Sequence, residues 1–72
     1  MSHPVLNVRP LGDVIRCFTP SAAYDVPTVA LAGLAHTILR PGTATVTPNG
    51  GHALVTVRPR GRLPLTFHAY KA

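Results

Sequence analysis

The densest chemistry in the sequence is Arg58-Pro59-Arg60-Gly61-Arg62, three guanidinium groups at alternate positions. Alternate side chains of an extended chain point the same way, roughly 6.6 Å apart. A guanidinium grips phosphate or carboxylate through two parallel N–H bonds. Proline stiffens such a segment, and glycine lets another backbone come close. The pattern fits a ribbon that tracks phosphates, an arm docked on an acidic protein, or a plain charged loop between two strands. Arginine also stands before proline at Val8-Arg9-Pro10, Leu39-Arg40-Pro41 and Val57-Arg58-Pro59. A residue before proline is driven extended and proline ends a ladder, so each site marks the rim of an element. Convergence of some of Arg9, Arg40 and Arg58 at one end of the domain is the resulting expectation. Tyr70 and Lys71 complete the candidate binding set, Tyr70 either as a stacking surface for a base or as a residue of a protein interface.

Other chemistries find less support. His3, His36, His52 and His68 form no HxH or HxxxH pair, so no metal site is expected. Cys17 is the single cysteine, which rules out a disulfide within the chain and a cysteine-rich metal centre. Flanked by Arg16 and Phe18 in an apolar strand, it reads as a buried structural thiol. Asp13 and Asp25 are the only acids, and neither Ser2 nor Ser21 sits in a nucleophile elbow. Gly50-Gly51 belongs to a hairpin turn, not to a phosphate-cradling loop. The expectation is a non-enzyme with no cofactor and no small-molecule substrate.

Six arginines and one lysine against two acids leave a net charge of +5 on 72 residues. That surface attracts nucleic acid, an acidic protein face or anionic lipid, or serves solubility alone. The longest apolar run, residues 29–35, is far short of the ~20 residues of a membrane helix. The N-terminus shows no basic region followed by an apolar one. A cytoplasmic location, or a place in an assembled particle, is therefore expected, with no membrane contact.

The elements that must position these groups are short. Eight prolines leave no room for a long helix. The clearest element is a hairpin around Pro48-Asn49-Gly50-Gly51, with Thr47 opposite His52, Val46 opposite Ala53 and Ala44 opposite Val55. That pairing puts Ala44, Val46, Ala53, Val55 and Val57 on one face, and Thr45, Thr47, His52, Leu54 and Thr56 on the other. A C-terminal strand buries Leu63, Leu65, Phe67 and Ala69 and exposes Pro64, Thr66, His68 and Tyr70. Residues 5–9 and 14–18 read as two more strands around Leu11-Gly12-Asp13. Residues 28–39 read either as a short helix, with Leu31, Leu34, Ala35, Ile38 and Leu39 as its stripe, or as two strands bent at Gly33. The expected core is Leu6, Val8, Ile15, Leu31, Leu34, Ile38, Val46, Val55, Val57, Leu65 and Phe67.

The fold expected is a single β-rich domain over residues 1–72: a small antiparallel barrel or sandwich of about five strands, with or without one short helix near residues 28–39. Domains this small often lean on oligomerisation when disulfides and metals are absent. The functional expectation is a non-catalytic structural or interaction protein, with a homo-oligomer or a larger acidic assembly as partner. A virion accessory or cement-type subunit is one concrete form of it. A basic nucleic-acid-binding module and a small inhibitor of an enzyme are the alternatives.

Overall fold

Around Gly50 the chain reverses in two residues. The computed structural model describes residues 1–31, 39–61 and 63–72. In it β5 (Ala44–Asn49) and β6 (His52–Val57) are joined by Gly50-Gly51, with Asn49 opposite His52, Val46 opposite Val55 and Ala44 opposite Val57. Gly50 takes φ +67, the left-handed value that a two-residue hairpin loop with glycine at its first central position requires. The expected four-residue loop is thus corrected by a register shift of two. The cause is Pro48, which pairs with Ala53 inside β5 and is not part of the turn. With Asn49 and His52 closing the turn as a bonded pair, Pro48 occupies a position from which β6 asks for no N–H. A shift of two preserves side-chain parity. Ala44, Val46, Ala53, Val55 and Val57 are all buried, and the threonine-rich face stays outward.

β7 (Leu65–Lys71) lies along β6, burying Ala69 and packing Leu65 and Phe67 against the core. Leu63, expected on that buried face, is 83% exposed. It precedes the strand, so the inward alternation starts only at Leu65. β3 (Val14–Phe18) and β4 (Ala23–Pro27) pair with each other, and β4 also meets β7 through Tyr24 opposite Lys71 and Asp25 opposite Tyr70. β4 was not expected as a strand, because a single valine and a tyrosine carry its whole inward face. β2 (Asn7–Leu11) pairs with β3 across the Gly12-Asp13 turn, and β1 (His3–Pro4) pairs with β5. The described residues form one antiparallel sheet of seven strands, in the order β1-β5-β6-β7-β4-β3-β2. It curls into a half-barrel whose two outer strands are consecutive pieces of one chain. The count exceeds the expected five because β4 is added and the first strand is split in two.

The split is a β-bulge. Val5 N–H donates to the Ala44 carbonyl at 3.1 Å and Leu6 N–H to the Phe18 carbonyl at 2.7 Å, so neighbouring residues bond to opposite edges of the sheet. Asn7 is the registered partner of Phe18, so Leu6 and Asn7 together oppose one residue. The extra residue breaks the in-out alternation. Val5 is 2% exposed and Val8 packs on the core, whereas Leu6 is 58% exposed. The expected core role of Leu6 therefore passes to Val5. Ile15, Val46, Val55 and Val57 are buried as expected, joined by Cys17, Tyr24, Val26 and Leu39. Thr28–Leu31 forms a single 3-10 turn, with the Thr28 N–H and hydroxyl both donating to the Asp13 carbonyl. Residues 32–38, which carry most of the helix expected over 28–39 together with Leu34 and Ile38, lie outside the described residues, as does the side chain of Leu31.

The bulge leaves an edge with little to offer a second sheet. In β2 the residues facing away from β3 are Val8 and Pro10. Val8 N–H is held by Asn7 Oδ1 at 2.9 Å, and proline has no N–H. In β1 the position facing away from β5 is Pro4, again without a donor. An edge stripped of free donors resists strand addition.

Candidate anion-docking end and outer sheet face

The β5–β6 ladder runs one rung past the strands. Arg58 N–H donates to the Thr43 carbonyl at 3.1 Å, which keeps Arg58 in phase with His52, Leu54 and Thr56 on the outer face. Thr43 also closes the preceding turn: its N–H and its hydroxyl both donate to the Arg40 carbonyl, at 3.3 and 3.0 Å. Gly42, at φ +86, makes that reversal feasible after Pro41. Arg40 and Arg58, eighteen positions apart in sequence, thus flank one threonine. Arg60 follows in the next turn and is exposed. Of the three readings open for residues 58–62, the extended ribbon is not continued over residues 60–61, which form a turn. Gly61 adopts φ +75 and turns the chain back towards β7, so the side-by-side pitch of an extended strand is lost. Arg62 lies outside the described residues.

Arg9 stands elsewhere, exposed on the outer face of β2 and opposite Arg16 of β3. Two like charges directly opposite would repel. Asp25, across from Arg16 on β4, offsets this: Arg16 Nε donates to Asp25 Oδ1 at 2.8 Å and a terminal N–H to Oδ2 at 3.0 Å. Both carboxylate oxygens are engaged in a bidentate pair. Among the described residues this is the one ion pair, so Arg9, Arg40, Arg58, Arg60 and Lys71 are exposed cations with no carboxylate partner there.

Tyr70 projects outward from β7, 48% exposed, opposite His52 of β6. Their rings meet edge to face, with centroids 5.2 Å apart and planes at 64°. Next along the same face Leu54 stands opposite His68, and Leu54 is 39% exposed. Together with Asn49 these side chains line an open groove of about 530 Å³. Tyr70 was legible as an outward aromatic. His52, Leu54 and His68 were not singled out as site residues, although the outward alternation of β6 and β7 pointed to them. Lys71 is exposed at the end of β7 with its N–H donating to the Gly51 carbonyl, but it is in phase with Ala69 and opposite Tyr24, on the other side of the sheet from Tyr70.

The single cysteine is held in the core. Cys17 is fully buried; burial, with a smaller contribution from the negative charge of Asp25, pushes its thiol up to about 11. At neutral pH the nucleophilic thiolate is thus suppressed. No group of three potential metal ligands occurs among the described residues, and His36 lies outside them. Compared with protein-family models, with curated proteins and with solved structures, the chain matches none.

Proposed function

We propose that this chain is a non-catalytic interaction domain that docks on an acidic face of a larger macromolecular assembly, using Arg40, Arg58 and Arg60 at one end of its sheet. The supporting observation is the Thr43 junction. It ties the turn carrying Arg40 to the end of β6 through backbone bonds, so cations from two segments share one rigid rim. Backbone-anchored guanidinium groups lose less freedom on binding than those of a floating arm. A virion accessory or cement-type subunit is one form such docking would take.

Binding to polyglutamate at low salt tests the reading. Replacing Arg40, Arg58 and Arg60 together by alanine is expected to abolish most of the affinity, while Arg9→Ala, an equally exposed cation on another part of the sheet, costs far less than a third of that loss in binding free energy. Equal losses per arginine replaced would mean that net charge alone attracts the partner, and would remove the case for a docking end. Self-association is a second form of the same class. Exposed Leu6, Val29 and Leu63 favour it, and sedimentation across a concentration range distinguishes it. It would have to use side-chain faces, because the first strand offers so few edge donors.

A further inference from the structure

We infer that the outer face of β6 and β7 is a stacking surface for single-stranded nucleic acid, with Tyr70 and His52 taking a base over the groove and Arg58 holding a phosphate at one end. The inference rests on the reading that this domain meets an acidic partner, and it names the class of that partner.

Three observations lead to it. The first is shape and chemistry. Tyr70, His52 and His68 are planar groups on one face beside Leu54, and Asn49 lies at the rim with an amide suited to a base edge. Single strands are held by such platforms, because every base has a π-face to stack. The second is charge. His52, Leu54, Thr56 and Arg58 follow one another at every second position of one ladder, so the face runs into the arginine rim at one end. Six residues of strand span roughly 20 Å. The nearest acid, Asp25, is opposite Tyr70, but Arg16 engages both of its oxygens. The third concerns the backbone. β6 lies between β5 and β7 and is paired over its whole length on both sides. An acidic peptide adding as a strand finds no open donors along β6. A ligand that binds by stacking and by phosphate contacts needs none.

Fluorescence anisotropy of a labelled thymidine oligomer tests this, beside a matched oligomer with abasic sites and beside polyglutamate. The thymidine oligomer is expected to bind at least about tenfold more tightly than its abasic counterpart. Tyr70→Ala should weaken it by roughly tenfold or more, the usual effect of losing one stacking side chain. Tyr70→Phe should bind as the parent does. Tyr70 is on the outer surface, so the variants are expected to fold, and the comparison of bases with abasic sites needs no variant. Equal affinity for the two oligomers, or an unchanged Tyr70→Ala, overturns the inference and leaves the docking end standing. So does binding of polyglutamate without binding of the oligomer, which assigns the partner to acidic protein. Failure to bind any of the three polyanions overturns both readings.

Discussion

Cys17 lies on the inward side of β3 between Val8 of β2 and Tyr24 of β4, with no exposed surface. Its thiol keeps its proton up to about 11, against 9.0 for the free group, because the thiolate would be stranded in the core. Below pH 9 both the folded and the unfolded chain hold that proton, and the folded state has lost nothing. As pH rises from 9 towards 11 the unfolded chain gives up its proton first, so stability falls through that window. Two pH units correspond to on the order of 3 kcal/mol. A domain of this length has only roughly 4–11 kcal/mol in total. The stability gap between the parent and Cys17→Ser, measured by urea unfolding, is therefore expected to narrow between pH 8 and pH 11. A gap that stays constant across that range would mean the thiol is not desolvated as its position requires. Asp25 shows the opposite accommodation. A carboxylate at the middle of a strand survives because it faces outward onto Arg16.

The N-terminal strand shows what short-range pattern can and cannot reveal. Alternation in Leu6 and Val8 suggests a two-residue period, and on that basis Leu6 belongs inside. The period is broken because the chain changes partners between Val5 and Leu6, and no residue type at positions 5–7 signals the switch. The β5–β6 hairpin is the contrasting case. Its faces were legible because a register error of two leaves parity intact, while the register itself depended on whether Pro48 belonged to the turn or to the strand. β4 stayed hidden because its inward face is only Tyr24 and Val26. The same first strand yields a prediction about association. Pro10 denies its edge an N–H, and Asn7 occupies that of Val8. Combining Pro10→Val with Asn7→Ala should restore two donors to an extended edge. Sedimentation velocity is expected to show concentration-dependent association beyond that of the parent protein. If the double variant sediments as the parent does, the edge is guarded by something other than its missing donors.

Across the whole molecule the positive charge is unevenly organised. Arg16 is neutralised within the sheet, Arg9 stands alone on β2, and Arg40, Arg58 and Arg60 gather where the β5–β6 ladder ends. That gathering was only partly legible. Each arginine before a proline marked the end of an element, but which ends coincide depends on the Thr43 rung, and a separation of eighteen residues has no period to betray it. Tyr70 was visible in the alternation of β7, yet its partner His52 emerged only with the true register. This geometry makes a quantitative statement about salt. Each phosphate engaged on a single strand contributes about −0.7 to the slope of log affinity against log salt concentration, because it releases condensed counterions. If Arg40, Arg58 and Arg60 each engage one phosphate, replacing all three by alanine should reduce the magnitude of the slope for the thymidine oligomer by about 2. Arg9→Ala should leave the slope nearly unchanged, although it also lowers the net charge. A slope that changes by the same amount per arginine at both places would mean the oligomer responds to the diffuse field of a +5 protein. A slope that responds only to the Thr43 rim would place the phosphates there, at one end of the face that carries Tyr70.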